Sequence, residues 1–455
     1  MLLFNIATVL GPRWVASAAH NGTSSLSLWV LAALLFFFPS ALVIVELSTR
    51  FPTEGGLYVW TKEAFGDFHG FVCGWCYWVY TIFYFPGLLL ASVAMSVYIG
   101  GPKAAWLADN RTYLIAASLI LLAIAMGLNL VGLHIGKWLQ NAGGVGTYVP
   151  LIMLVVVGGI IWMRHGSLTH YTWSNSLPHI DFGTINFWSQ IAFAFTGLEL
   201  VCAMSEEVHD PQRTFPRAVF ASGVLIAAIY ILATLALLAM IPAATVNVQN
   251  GVFQALGTGS AALGIAFVGV IAALLVTVGN AGGVGSTVAG VARVPFAVGL
   301  DRYLPEAFGK LHPKWRTPYV AILVQGAISG VILLISQINE TMRGAYETLV
   351  SAAILLYFLP FLYMYASVIR LAFRPDRRQN PRAVLIPGGT VGVIVAGGLG
   401  FLITALAMVL SLFPSEDVSS VRLWFIRLTT FTVGSVFFGL VLYARGARQV
   451  RTDQA

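Results

Sequence analysis

The sequence is poor in charged residues, and this scarcity decides the class of protein. Only 9% of the 455 residues are Asp, Glu, Lys or Arg, whereas 58% are hydrophobic. Soluble domains carry roughly 25% charged residues. The shortage excludes a soluble globular protein and predicts a polytopic membrane protein. The net charge of +7 does not indicate nucleic-acid binding, because no basic run of the chain is interleaved with aromatic residues.

Cysteine and metal-binding patterns are also scarce. The three cysteines include one C-x-x-C pair, Cys73 and Cys76, which lies in the apolar run GFVCGWCYWVY. Two small side chains on one face of an apolar helix explain this pair better than a redox or metal site, which needs further ligands. The eight histidines form no H-E-x-x-H pattern. We therefore expect no metal, no cofactor and no enzyme active site.

Long apolar runs are what the chain has in abundance. A membrane-spanning helix needs about 20 mostly apolar residues. Twelve runs meet this requirement, at about residues 1–20, 26–50, 68–99, 112–133, 138–163, 184–206, 216–241, 260–290, 317–337, 345–372, 384–412 and 420–445. The predicted fold is therefore all-α, with 12 transmembrane helices.

The distribution of basic residues predicts the orientation. With the N-terminus inside, eighteen of the 25 Lys and Arg residues fall in cytoplasmic loops and the C-terminal tail, and six fall on the opposite face. Cytoplasmic loops of membrane proteins are enriched in Lys and Arg. We therefore predict a multi-pass protein of the cell membrane with both termini in the cytoplasm.

Two of the twelve segments carry residues that a continuous membrane helix avoids. Segment 1 is interrupted at Gly11-Pro12 and segment 6 at Thr196-Gly197, with Glu199 close behind. An acid at mid-membrane depth costs at least ~2.5 kcal/mol without a partner, a cavity or a proton. Secondary transporters place broken helices at corresponding positions of two inverted repeats and build substrate sites from them. The alternative is that Gly and Pro are simply common in membrane helices.

Four stretches of the chain resemble the amino acid–polyamine–organocation (APC) superfamily. They are PTEGGLYVWTKEAFGDFHGF at 52–71, FAFTGLELVCAMSEEVHDPQRTFPRAV at 193–219, ARVPFAVGLDRYLPEAFGKLHPKWRTPY at 292–319 and PFLYMYASVIRLAF at 360–373. In order, they resemble the superfamily's segment 2–3 loop, segment 6–7 signature, segment 8–9 loop and end of segment 10. Segments 1–3 look most similar to glutamate/γ-aminobutyrate antiporters and to plant polyamine and amino-acid permeases.

The resemblance implies a LeuT-type fold of five plus five inverted-repeat helices, with discontinuous helices 1 and 6. The ten-helix core would comprise residues 1–372, with repeat one at about 1–165 and repeat two at about 184–372. Residues 384–445 would form two additional helices, and 446–455 a cytoplasmic tail. Members of the superfamily move amino acids or amines, by ion-coupled uptake or exchange, around a central site.

The interrupted helices supply the candidate substrate site. Where a helix unwinds, backbone N–H and C=O groups lose their partners and can bind a carboxylate and an ammonium group. The candidates are Val9, Leu10, Gly11 and Pro12 in segment 1 and Phe195, Thr196, Gly197 and Leu198 in segment 6. Phe195 is also a candidate lid. The stretch VLGPRW departs from the Gly-Ser-Gly type motif of many relatives, and its proline has no N–H to offer.

Arg13, inside segment 1, has two interpretations. It either reaches the membrane interface or pairs with a structural partner, or it faces the vestibule and belongs to the substrate site. In the second case it would favour anionic substrates or repel polyamines.

Three further residues are candidates for gating. Glu199 matches a superfamily acid that resembles a proton-linked gating carboxylate. Burial favours the neutral form of a carboxyl group, so Glu199 could load and release a proton; the alternative is a static partner for the backbone. Tyr77 resembles a tyrosine that helps to close the cytoplasmic path. Phe361 falls where relatives carry a tyrosine, and both aromatic residues could equally serve packing.

The sequence does not identify the ion that would be coupled to transport. Proton-coupled relatives often carry a lysine in segment 5, and alignment on Pro150 places Thr147 at that position. Ser286 and Thr287 in segment 8 resemble the hydroxyl pair of a sodium site, although small hydroxyl residues also pack helix interfaces. Sodium coupling, proton coupling through Glu199 and uncoupled exchange are all compatible with the sequence.

These observations predict a secondary active transporter that moves amino acids by alternating access. The alternative is a polyamine or organic-amine permease of the same fold. A membrane enzyme is disfavoured, as is a channel, which would show a filter sequence or repeated pore-lining segments. The expected partners are the small-molecule substrate and the lipid bilayer, with a coupling proton or sodium ion in place of a cofactor. The sequence does not predict the oligomeric state.

Overall fold

The computed structural model describes the chain except for residues 54, 179–181, 249, 301–302, 339–340, 379, 415–417, 419 and 455. Over the described residues the secondary structure is entirely helical. The α-helices, α1 to α18 in chain order, are Leu2–Val9, Pro12–His20, Ser24–Ala32, Phe38–Arg50, Leu57–Phe65, Asp67–Ser96, Arg111–Val131, Leu133–His165, Trp173–Ser176, Phe182–Ala194, Pro211–Met240, Gly251–Ala262, Phe267–Val291, Arg293–Leu300, Tyr319–Ser336, Met342–Ala372, Gly389–Leu410 and Val421–Gln454. A π-helix at Ala33–Phe37 joins α3 to α4, and 3₁₀-helices occupy Val97–Asp109, Leu198–Glu207, Ala243–Thr245, Glu306–Gly309 and Pro375–Arg378.

The helices make this a multi-pass membrane protein. Ten stretches of the described chain are long and apolar enough to cross a membrane: Ser24–Arg50, Asp67–Gly101, Arg111–Val131, Trp138–His165, Gln212–Met240, Phe267–Ala297, Tyr319–Ser336, Gly344–Ala372, Gly389–Leu410 and Val421–Arg448. The pair α1 and α2, bent by 43° at its break, is an eleventh candidate.

By length and hydropathy, the described chain contains ten or eleven spans instead of the predicted twelve. The difference arises because the sixth predicted segment is divided into two short helices. It comprises α10, of 13 residues, and the 3₁₀-helix Leu198–Glu207, of 10 residues. Each piece is shorter than the roughly 20 residues that a spanning helix needs. The total of twelve therefore stays a prediction.

Small residues allow the central helices to approach closely. A Cβ atom added to Gly282 of α13 would lie only 2.3 Å from the Cα atom of Gly143 in α8. Glycines at such crossings let membrane helices pack backbone against backbone. Helix α13 also contacts α1 and α6, so the interrupted first span is held against this tightly packed pair.

A buried ion pair ties the end of α4 to the segment after α16. The Glu46 carboxylate accepts hydrogen bonds from Nε and Nη2 of Arg377, both at 2.9 Å, and from the Ile386 backbone N–H at 2.9 Å. Arg50 approaches the same carboxylate at 3.3 Å. Glu46 and Arg377 are both buried, so this contact excludes water and fixes the segment against the helical core.

Candidate functional site

The first span is interrupted at Leu10 and Gly11. Both residues have extended backbones, with φ/ψ of −73°/123° and −135°/118°. Pro12 begins α2, a position where its missing N–H costs no helical hydrogen bond and its fixed φ suits the helix. The interruption therefore lies where the sequence predicts it.

The second interruption is at Phe195 to Gly197, between α10 and the 3₁₀-helix Leu198–Glu207. Gly197 has a φ of +116°, a conformation that residues with a Cβ atom rarely adopt. A Cβ atom there would also lie 3.2 Å from the carbonyl oxygen of Thr8. The two interruptions are therefore in direct contact.

Tyr230 of α11, which the sequence analysis did not single out, bridges both interruptions. Its hydroxyl oxygen accepts the Gly11 N–H at 3.1 Å. The same hydroxyl lies 2.8 Å from the Val9 carbonyl oxygen and 3.2 Å from that of Ala194, so its proton can be donated to either. These are backbone groups that lose helical partners where the helices unwind. Trp29 stacks on the Tyr230 ring at 4.4 Å and holds it in place.

Glu199 is fully buried and accepts hydrogen bonds from three elements. Its Oε1 atom accepts from the hydroxyl of Tyr77 in α6, at 3.0 Å, and from the hydroxyl of Tyr357 in α16. Its Oε2 atom accepts from the backbone N–H of Gly197 at 3.1 Å. The rings of Tyr77 and Tyr357 stack at 5.7 Å. The carboxylate thus connects the second interruption to α6 and α16.

A narrow cavity lies where the two interruptions meet α6, α13 and α16. Its volume is about 20 Å³, which is room for about one water molecule. The lining residues are Thr8, Val9, Trp14, Tyr80, Tyr84, Phe193, Thr196, Gly197, Leu200, Thr287 and Tyr357. Its wall is largely aromatic, with hydroxyl groups and the backbone of the interruptions supplying polar contacts.

The predicted substrate residues fall into two groups. Val9, Thr196 and Gly197 line the cavity, whereas Leu10, Gly11, Pro12, Arg13, Phe195 and Leu198 lie at the interruptions without lining it.

Phe193, rather than the predicted lid Phe195, reaches the cavity. The Phe195 ring packs against Trp29, Phe37 and Tyr230, with ring centroids 4.7 to 5.5 Å apart. The reason is that the chain leaves the helix after Ala194, which turns the next side chain toward α3 and α11. Phe193 is still helical and keeps the direction of the α10 face that meets the cavity.

On α16, the hydroxyl group that contacts Glu199 belongs to Tyr357, which the sequence analysis did not single out. Phe361 is buried and stacks on Phe36 at 5.9 Å. The two α16 residues are four positions apart and so share one helix face. That spacing is the sequence signal that could have identified Tyr357.

The candidate ion ligands lie on α8 and α13. Thr147 and Thr287 donate their hydroxyl protons to carbonyls of their own helices, those of Gly143 at 2.7 Å and Gly283 at 2.9 Å. The Ser286 hydroxyl is buried and has no hydrogen-bond partner among the described residues. Within the same part of the chain, no group of three His, Cys, Asp or Glu side chains could hold a metal ion.

Arg13 is buried, with 3% of its surface exposed, and so does not reach an interface. Its guanidinium carbon lies 4.3 Å from the ring centroid of Trp14 and 5.1 Å from that of Tyr84. None of its three side-chain nitrogens has a hydrogen-bond partner within the described chain. A cation–π contact contributes about 0.5–2 kcal/mol, whereas the effective penalty of burying an ion is several kcal/mol. The two rings therefore offset only part of the cost of this buried charge.

Comparison with known proteins gives one family and several bacterial relatives. The model of the family described as "Amino acid permease" matches residues 2–437. An uncharacterized transporter of Legionella pneumophila is 28% identical over 92% of this chain and 89% of its own length. The serine/threonine exchanger SteT of Bacillus subtilis is 28% identical over 85% of each chain. The probable agmatine/putrescine antiporter AguD of Lactococcus lactis is 24% identical over 100% of this chain and 95% of its own.

Proposed function

We propose, from the premise that this chain belongs to the amino acid permease family, that it moves amino acids by alternating access as a secondary active transporter. The family consists of permeases, so the protein is a membrane transporter and not an enzyme. The observation that carries the proposal is the contact of two interrupted helices beside an internal cavity. Secondary transporters form their substrate sites from such helices, because unwinding frees backbone dipoles within the membrane.

The proposal includes a LeuT-type arrangement of two inverted repeats. Repeat one would span about 1–165 and repeat two about 184–372, with α17 and α18 as the additional helices. Its support is that the interruptions fall in the first and sixth predicted segments, which correspond in five-plus-five repeats. The Lys and Arg distribution supports cytoplasmic termini.

Glu199 is the proposed link between a proton and the gate. As a carboxylate it accepts from Tyr77, Tyr357 and the Gly197 N–H at once. A protonated carboxyl group becomes a donor and loses acceptor capacity, so proton uptake would break or reverse one of these bonds. Such a change would loosen the second interruption from α6 or α16. Sodium coupling through Thr147, Ser286 and Thr287 and uncoupled exchange are the alternative modes.

A polyamine or organic-amine permease is the second candidate. Its support is the similarity to AguD, the probable agmatine/putrescine antiporter, over the whole of this chain. The amino-acid proposal is supported by the comparable similarity to a serine/threonine exchanger.

Counterflow in proteoliposomes tests the proposed function. Vesicles containing the purified protein are loaded with single amino acids, agmatine or putrescine, and the uptake of each labelled compound is measured with and without proton or sodium gradients. Saturable amino-acid uptake that depends on the internal amino acid is expected. Uptake of the amines alone would replace the amino-acid proposal with the amine one.

A further inference from the structure

Arg13 has an unusual electrostatic position. It is the second residue of α2, whose first turn carries the partial positive charge of the helix dipole. A guanidinium group at this end of a helix is repelled, and here it is also buried. The arrangement places positive charge from two sources, the helix end and the side chain, beside the substrate cavity.

Among the described residues, no carboxylate forms an ion pair with Arg13. Tyr346 of α16 lies beside the guanidinium group, within reach of its donors, but it is a neutral phenol and supplies no charge. The next residue, Glu347, accepts a hydrogen bond from Gln190 at 3.3 Å and forms no ion pair with Arg13. The aromatic contacts with Trp14 and Tyr84 are therefore its principal compensation.

Several backbone positions at the interruptions have no free N–H group to offer a carboxylate. The Gly11 N–H donates to Tyr230, and Pro12 has no N–H. The Trp14 N–H donates to the Gly11 carbonyl at 3.0 Å, and the Gly197 N–H donates to Glu199. By contrast, the nitrogens of the Arg13 guanidinium group meet the hydrogen-bond criterion with no other described residue. This group can bind a carboxylate through two parallel hydrogen bonds.

We propose that the guanidinium group of Arg13 binds the carboxylate of the transported molecule, in place of the backbone N–H groups at the helix interruptions. This inference rests on the proposed transport function. Trp14 and Tyr84 line the cavity and also contact Arg13, so a rotation of either ring would join the guanidinium group to the substrate space. The substrate class is then carboxylate-bearing amino acids, zwitterionic or acidic, and excludes amines that lack a carboxylate.

Three variants test the role of Arg13. Arg13→Gln removes the charge, Arg13→Lys keeps the charge without the planar donor pair, and Arg111→Gln changes an exposed arginine in the first turn of α7 as a matched control. Counterflow is measured for the best amino acid of the panel, in competition with its own decarboxylated amine (ethanolamine for serine).

Wild-type protein should discriminate strongly against the amine. Arg13→Gln should raise the half-saturating amino-acid concentration by roughly 10–100-fold, the range expected for loss of a hydrogen bond to a charged group. It should also lose most of the discrimination. Arg13→Lys should fall between Gln and wild type, and the Arg111→Gln control should stay within about 2-fold of wild type, since its site is solvated.

Thermal unfolding in detergent provides a second readout. Because Arg13→Gln removes an unpaired buried charge, it should be at least as heat-stable as wild type, and the amino acid should stabilise wild type but not the variant. Unchanged half-saturation and discrimination in Arg13→Gln would overturn the inference, as would equal transport of the amine by wild type. Absence of any amino-acid transport by wild type would instead refute the proposed function.

Discussion

The hydroxyl oxygen of Tyr230 accepts a hydrogen bond from the backbone N–H of Gly11 at 3.1 Å. The two residues are 219 positions apart in the chain. The same hydroxyl lies 2.8 Å from the Val9 carbonyl oxygen and 3.2 Å from the Ala194 carbonyl oxygen. A single phenol therefore joins both interrupted helices. Any movement that separates the two interruptions must break at least one of these contacts.

Replacing Tyr230 with phenylalanine should impair both stability and transport. The substitution leaves the half-buried Gly11 N–H without its acceptor, which costs up to about 1–3 kcal/mol of unfolding free energy. Tyr171→Phe is the control, because its hydroxyl donates to the Leu235 carbonyl at 2.9 Å in a half-buried position outside the interruptions. Thermal unfolding and counterflow are measured for both variants. If the two behave alike, the link between the helices has no special role.

Replacing Gly197 with alanine should abolish most of the transport. Alanine at a φ of +116° is strained, and its Cβ atom would lie 3.2 Å from the Thr8 carbonyl oxygen. Strain of this kind costs about 1–3 kcal/mol and should push the two interruptions apart. Gly159→Ala in α8 is the control, since a Cβ atom there meets nothing within 4 Å. The measurement is the counterflow rate of each variant at equal amounts of inserted protein. Normal transport by Gly197→Ala would show that transport does not need the close contact between the two interruptions.

Replacing Glu199 with glutamine should separate proton coupling from exchange. The amide cannot be ionised, so uptake driven by a pH gradient should be lost and the pH dependence of transport should flatten, while counterflow continues. The measurement is initial uptake between pH 5 and pH 8, with the exposed Glu63→Gln as control. A pH profile identical to that of wild type would assign Glu199 a static structural role.

Replacing Glu46 with glutamine should destabilise the protein without directly affecting the cavity. Removal of the negative charge leaves the buried Arg377 without its carboxylate partner, and breaking such a pair costs up to about 3–5 kcal/mol. Glu63→Gln again serves as control, because its pair with Arg374, at 3.5 Å, is partly exposed and contributes about 0–1 kcal/mol. Thermal unfolding should therefore show a large shift for Glu46→Gln and a small one for Glu63→Gln. Equal shifts would mean that burial does not strengthen the Glu46 contact.

The sequence by itself determined the class of protein and the places where its helices break. Scarce charge and long apolar runs require a membrane-spanning helical protein, because unpaired backbone groups and charges are costly in lipid. The interruptions at Gly11-Pro12 and at Gly197 are local events, set by a missing N–H and by a positive φ that only glycine adopts easily. Both could therefore be located without knowing what packs against them.

The tertiary structure alone decided which side chains meet at those breaks. The hydroxyl group of Tyr357 reaches Glu199, and Phe193 rather than Phe195 reaches the cavity. Similarly, Arg377 pairs with Glu46, which lies 331 positions away in the chain. The physical reason is that the partners of a buried polar group come from other helices, whose crossings and rotations depend on packing along the whole chain.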